Sequence, residues 1–113
     1  MNARDELLKM IEGRPRIICA KITLNDLSFY DEDEIRRINL RLGYSEQDYA
    51  EFLRALDFEY NNGYGGQELF GTVWLQNNAW LERHEYDGSE WWEYKCFPSI
   101  PVELWSENEE EEL

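Results

Sequence analysis

The chain has 113 residues and a formal net charge of −14, from 25 acidic and 11 basic side chains. This length is typical of one domain, and a hydrophobic content of 42% with 15% aromatic residues is enough to form a core. The charge argues against direct binding to nucleic acid or to anionic lipid, because both carry negative charge themselves. It favours a basic protein as the partner.

Several other classes of protein are excluded by features that the sequence lacks. No apolar run approaches the roughly 20 residues of a membrane span, and the first 13 residues carry charges throughout, unlike a signal peptide. We therefore expect a cytoplasmic protein without membrane contact. Cys19 and Cys96 are far apart and show no metal-ligand spacing, so we expect reduced thiols, no metal and no cofactor.

The first elements in chain order are a helix and a strand. Leu7, Leu8 and Ile11 lie on one helical face and predict a helix over residues 3–12. Residues 16–24 are rich in β-branched side chains with alternating character. They predict a strand whose even-numbered positions are buried.

Two further helices are predicted before the middle of the chain. Residues 33–42 place three apolar side chains at i, i+3 and i+7, which is helical spacing. Residues 45–57 carry the clearest apolar stripe. Ser45 followed by Asp48 three residues later indicates a capping box at the start of that helix.

The stretch 68–97 contains four of the five tryptophans and predicts a three-strand antiparallel meander. Its apolar runs have strand length, and they are separated by turn-forming Asn-Asn and Asp-Gly dipeptides. We therefore predict an α+β domain over residues 1–106, followed by an acidic tail over 107–113. Its antiparallel four-stranded sheet combines the N-terminal strand with the meander, and two or three helices pack on one face.

The registers of the two hairpins decide which side chains share a face. A two-residue turn at Asn77 and Asn78 pairs Leu75 with Trp80. This register assigns Trp74 and Trp80 to opposite faces of the sheet.

For the second hairpin, a four-residue loop over Asp87–Glu90 sets Tyr86 opposite Trp91. We prefer this loop because the tighter turn would set Glu82 opposite Glu93, and like charges directly opposite are unfavourable.

Neither face of the meander is wholly polar. We expect one face to lie beneath the helices and the other to expose aromatic side chains, as a partner-binding surface does. The alternative is that loops and the C-terminal segment fold over the second face.

No spacing in the sequence supports catalysis. His84 is the only histidine, and alternation places its neighbour Glu85 on the opposite face of the strand, so an acid–base pair is not favoured. The acidic run 31–34 lacks the alternate-position ligands and central glycine of a calcium loop. We expect a protein that is not an enzyme and has no catalytic residue.

The acidic and aromatic side chains remain as candidates for partner binding. A carboxylate array on a rigid surface can imitate DNA phosphates, whereas the simpler alternative is that the charge only confers solubility. The candidate partner-binding residues are Asp31, Glu32, Asp33, Glu34, Glu46, Asp48, Glu51, Tyr64, Trp80, Glu82, Glu85, Asp87, Glu90, Trp91 and Glu93.

The stretch from Gly63 to Leu104, with its phrases GYGGQELFGTVW, WLERHEYDGSEWWEY and PSIP, resembles small acidic proteins encoded by phages and plasmids. Such proteins include anti-restriction and anti-CRISPR inhibitors, several of which act as DNA mimics. The resemblance implies stoichiometric inhibition of a basic, nucleic-acid-binding defence enzyme in a bacterial host. It carries over no functional residues.

Two other functions stay open at this stage. One is an immunity-type or antitoxin-type protein that neutralises a basic toxin. The other is a Trp-rich module for sugar or peptide, which predicts Trp80 and Trp91 side by side and exposed. The oligomeric state is open, with a dimer among the possibilities.

Overall fold

The computed structural model describes residues 1–25, 35–63 and 66–105. The described elements, in chain order, are α1 (Ala3–Ile11), β1 (Ile17–Leu24), β2 (Arg36–Leu40), α2 (Glu46–Ala55), β3 (Leu69–Leu75), β4 (Ala79–Tyr86), β5 (Ser89–Cys96) and a 3-10 turn (Val102–Leu104). The strands form one antiparallel sheet in the order β2-β1-β3-β4-β5. The predicted α+β class is confirmed, but the sheet has five strands instead of four.

The additional strand is β2, and the helix predicted over 33–42 is wrong. Ile38 and Leu40 are buried, whereas Arg37 before them and Asn39 between them are exposed. This alternation has the period of two that is expected of a strand. Leu42, the last residue of the supposed helical stripe, is 73% exposed. Pairing with β1 supplies the backbone hydrogen bonds of this short segment.

Strand β1 is confirmed, although its burial pattern is not the predicted one throughout. Ala20 and Ile22 are buried as expected, but Ile17 is 3% exposed and Ile18 is 36% exposed. A register irregularity between Ile17 and Cys19 shifts the phase of the alternation at the start of the strand.

Both helices begin at side-chain caps. The Asn2 side chain accepts a hydrogen bond from the backbone N–H of Asp5 at the start of α1. At α2 the capping box is confirmed: Ser45 Oγ accepts from the N–H of Asp48, and Asp48 Oδ2 accepts from the N–H of Ser45, each at 3.0 Å. These caps satisfy donors that the first helical turn leaves open.

The hydrophobic core lies between the helices and one face of the sheet, which we call the inner face. Leu7 of α1 and Phe52 of α2 belong to the same buried cluster as the inner-face residues Ile22, Val73 and Leu81. The opposite side of the sheet, which faces away from both helices, is the outer face.

The meander is confirmed as three strands, but the register of its first hairpin is wrong. Leu75 pairs with Ala79, and Trp74 pairs with Trp80. Three residues therefore lie between the last paired positions, with Asn77 and Asn78 both at positive φ. A shift of one residue moves every side chain of the following strand to the other face, so Trp80 shares the outer face with Trp74.

The second hairpin has a two-residue turn at Asp87 and Gly88, so the predicted four-residue loop is also wrong. Its register sets Glu82 opposite Glu93. The repulsion between these carboxylates is reduced by one cationic neighbour, and an imidazole lies beside the second carboxylate. Lys95 Nζ lies 3.6 Å from Glu82, and His84 Nδ1 lies 3.7 Å from Glu93.

Candidate partner-binding face

The outer face exposes a row of large apolar side chains. Phe70 is 39% exposed, Trp74 is 42% exposed and Trp91 is 38% exposed. In the described part of the chain nothing covers them, since both helices pack on the inner face and residues 97–105 are themselves exposed. Among the described residues, one face is therefore covered by the helices and the other exposes aromatic side chains, as expected.

A groove of about 660 Å³ runs across this face at the β3–β4 hairpin. Trp74 and Trp80, directly opposite each other, form its floor with Thr72, and Ile18 and Phe97 border it. The rings of Trp80 and Phe97 pack 5.2 Å apart at 54°. This geometry leaves flat apolar surface open to a partner side chain.

Glu82 gives the groove a fixed negative charge. The indole Nε1 of Trp80 donates a 2.6 Å hydrogen bond to Glu82 Oε1, and Lys95 lies beside the same carboxylate. The Trp80 hydrogen bond, followed by the charge of Lys95, lowers the pKa of Glu82. The carboxylate is therefore ionised at neutral pH, with Lys95 as its cationic neighbour.

His84 lies between two carboxylates on the same face. Its Nε2 is 3.5 Å from Glu82 and its Nδ1 is 3.7 Å from Glu93, while its ring stacks on Trp91 at 6.4 Å. The imidazole thus contacts both carboxylates of the Glu82–Glu93 pair and the ring of Trp91. Among the described residues, no group of three His, Cys, Asp or Glu side chains is arranged to hold a metal ion.

The predicted partner-binding residues fall into separate groups. Trp80, Glu82, Trp91 and Glu93 come together on the outer face, and the register places the Glu82–Glu93 pair between the two tryptophans. Five other candidates are exposed but lie outside this group, at the end of the β4–β5 hairpin or on α2. They are Glu85, Asp87, Glu46, Asp48 and Glu51. The remaining candidates, Asp31, Glu32, Asp33, Glu34 and Tyr64, lie outside the described residues.

The prediction that Glu90 binds a partner is wrong, because this residue is only 2% exposed. Its carboxylate receives hydrogen bonds from Arg83 Nη2 at 2.5 Å and from the backbone N–H groups of Glu68 and Leu69 at 2.7 and 3.0 Å. Arg83 also reaches Glu6 of α1 at 3.2 Å and the Tyr60 hydroxyl at 2.8 Å. Through Arg83, the buried carboxylates of Glu90 and Glu6 connect the meander to α1.

Sequence reasoning missed the contribution of Phe70 and Trp74 to the site. It assigned them to the face opposite Trp80, because the hairpin loop was counted as two residues. The positive φ values at Asn77 and Asn78 were anticipated from the dipeptide, but the length of the unpaired loop was not.

The charge of the chain is distributed unevenly between the described and the other residues. The described residues contain 15 acidic and all 11 basic side chains, a net charge of −4. The other ten acidic residues lie in 26–34 and 106–113. On the described surface, the position of individual carboxylates therefore matters more than the total charge.

Comparison with known protein families, with curated proteins and with solved structures found no match. Among the described residues, no helix is long and apolar enough to cross a membrane.

Proposed function

We propose that this protein is a stoichiometric inhibitor, which binds a basic, nucleic-acid-binding bacterial defence enzyme through its outer face. The observation that carries the proposal is the aromatic surface on a sheet whose other face is already fully used by the core. Contiguous exposed apolar surface with a charged rim is characteristic of protein–protein interfaces. Tryptophan is also among the residues enriched in interface hot spots.

The polar groups of the face favour a basic partner. Glu82 and Glu93 lie side by side between Trp80 and Trp91, so that an incoming Lys or Arg side chain meets carboxylate and indole together. A cation in such a position gains from both the charge and the π-face of the ring. Asp87, in the turn between β4 and β5, adds a further negative charge at the end of the sheet.

Inhibition would follow from occupation of the partner's nucleic-acid channel. The channel of a nucleic-acid-binding enzyme presents Lys and Arg side chains to phosphates, and the carboxylates of this face would pair with the same side chains. The resemblance of residues 63–104 to acidic phage and plasmid proteins supports an anti-defence role over a general one. Strict mimicry of a phosphate array would need the acidic residues of 26–34 and 106–113 as well.

Affinity capture from a bacterial lysate tests the class of partner. We expect the tagged chain to retain a basic, nucleic-acid-binding protein at low salt, to lose it at high salt, and to release it when duplex DNA is added, because counterions and DNA compete for the same cations. Retention of a protein that does not bind nucleic acid, or a complex indifferent to salt and DNA, would contradict the proposal. Capture of a basic toxin would support the immunity-type alternative.

The structure bears on the sugar- or peptide-binding alternative through one geometric expectation. That alternative predicts Trp80 and Trp91 side by side, but the Glu82–Glu93 pair separates them along the strands. Trp74 and Trp80 are the directly opposed pair. The carboxylates between the tryptophans favour a cationic protein surface over a neutral ligand.

A further inference from the structure

In the cross-strand row at the middle of the outer face, the basic side chain lies on one side of the central strand β3 and the acidic side chains on the other, while Lys95 of β5 lies in the next row beside Glu82. One cross-strand row, read from the registers, consists of Asn39, Lys21, Thr72, Glu82 and Glu93 on β2, β1, β3, β4 and β5. Lys21 lies one strand to one side of Thr72, and Glu82 lies one strand to the other side. Since Lys21 is exposed between the buried residues Ala20 and Ile22, it projects from the outer face.

This arrangement is self-complementary under one kind of two-fold symmetry. A two-fold axis parallel to β3, midway between two facing sheets, brings β1 of each copy over β4 of the other. Lys21 of one copy then faces Glu82 of the second copy, and the same contact occurs twice. Thr72 and Trp74 lie at the axis and face their own counterparts.

The other face-to-face two-fold arrangement lacks this complementarity. With the axis perpendicular to the strands, each strand lies over its own counterpart. When the axis crosses the row of Thr72, Lys21 approaches Lys21 of the second copy, and Glu82 approaches Glu82. Like charges at close quarters disfavour that dimer.

The face is large enough for a stable interface. The sheet has five strands about 4.8 Å apart, and each strand is about seven residues long with a rise of about 3.4 Å per residue. Its flat area is therefore roughly 550 Å² per copy, or about 1,100 Å² in total, and protruding side chains add to this area. A specific interface buries at least about 1,000 Å². Its centre would be the aromatic groove, and its charged pairs would lie to either side, as in known interfaces.

We infer that a second copy of this chain covers the outer face in the free protein, with the two-fold axis parallel to β3. The dimer keeps the aromatic surface from solvent until a partner arrives. That the partner displaces the second copy rests on the proposed function, whereas the dimer itself does not.

A charge-swap experiment on the full chain tests the dimer without any partner. Light scattering after size exclusion should give twice the 13.6 kDa chain mass for the natural protein. Lys21→Glu or Glu82→Lys should each raise the dimer dissociation constant by about tenfold or more, since each places two repulsive pairs in the interface. The double variant K21E/E82K restores both pairs and should bring the constant back toward its original value.

The matched control is Lys9→Glu with Glu12→Lys, which makes the same charge changes at exposed positions of α1 and its C-cap. This control should leave the dimer unchanged. Thr72→Arg provides a second test, because it puts two guanidinium groups at the axis and should give a monomer while the far-UV circular dichroism stays folded. A monomeric natural protein, or a dimer indifferent to all three interface changes, would overturn the inference.

A partner captured by a monomeric natural protein would reject the dimer and leave the proposed function standing. A dimer that follows the charge swap but captures no basic protein would do the reverse. The two outcomes therefore separate the inference from the proposed function.

Discussion

Arg83 and Glu90 form a buried ion pair between neighbouring strands, with Nη2 of Arg83 2.5 Å from Oε1 of Glu90 and both side chains about 1% exposed. Glu6 of α1 completes the cluster from the other side of the guanidinium at 3.2 Å. The guanidinium also lies over the ring of Trp92, 5.0 Å from its centroid. One cation thus connects β4, β5 and the first helix beneath the sheet that carries the site.

Replacing Arg83 should destabilise the protein strongly. Arg83→Met leaves the carboxylates of Glu6 and Glu90 buried without a cation, which costs about 3–5 kcal/mol. Urea unfolding followed by tryptophan fluorescence measures the loss. The triple change R83M/E6Q/E90Q removes the charges together and should cost less than R83M alone. A triple variant less stable than R83M would contradict this account of the cluster.

Tyr60 predicts a specific dependence of stability on alkaline pH. Burial, followed by the hydrogen bond that its hydroxyl donates to Glu6, raises the pKa of Tyr60 above its usual value near 10. The neutral hydroxyl is favoured in the folded state, so its contribution is complete below pH 10 and is lost as the pH rises toward the folded pKa.

The comparison with Tyr60→Phe isolates this group from the other tyrosines. The difference in unfolding free energy between the natural protein and Y60F should be constant from neutral pH to about pH 9 and should shrink above about pH 10. A difference that stays the same across this range would show that Tyr60 titrates normally.

Gly71 should tolerate no side chain. It lies opposite Ile22 with φ +148°, and a Cβ there would come 2.3 Å from the carbonyl oxygen of Lys21 and 2.9 Å from Cα of Ile22. Because the obstructing atoms are backbone, the strands must separate locally. We expect Gly71→Ala to cost about 2 kcal/mol or more.

The matched control is Gly63→Ala, where a Cβ would meet nothing within 4 Å. That variant should stay within about 0.5 kcal/mol of the natural protein in urea unfolding. Equal losses in the two variants would mean that the close approach of β1 and β3 is not what Gly71 provides.

The predictable part of the fold is the part in which local pattern and tertiary structure agree. The three meander strands have strand length, β-forming residues and turn dipeptides, and Ser45 with Asp48 marks the start of α2 in the sequence alone. In strand β2 the local sequence pattern and the tertiary structure disagree. Ile35, Ile38 and Leu42 fit a helix, while the alternation of Ile38 and Leu40 acquires meaning only when β1 is present to pair with it.

The candidate site was predictable in composition but not in arrangement. Trp80, Glu82, Trp91 and Glu93 were identified, whereas a hairpin loop longer by one residue placed Trp74 beside them. Electrostatic expectation was also overruled at the second hairpin. Glu82 faces Glu93 because Asp87-Gly88 makes a tight turn, and Lys95 compensates part of the charge. Arg83 was missed since an arginine in a strand is ordinarily exposed.

The measurement that tests the central claim most directly is the affinity of the captured partner for the natural protein, Trp74→Ala and Leu42→Ala, at concentrations at which the chain is monomeric. Trp74 is 42% exposed in the groove, and Leu42 is 73% exposed beyond the end of β2. Calorimetry should show W74A weakened by about tenfold or more, as for an interface hot spot, with L42A unchanged and both variants as stable as the natural protein within about 1 kcal/mol. Undiminished binding by W74A, or an equal loss in L42A, would contradict the assignment of the outer face as the binding surface.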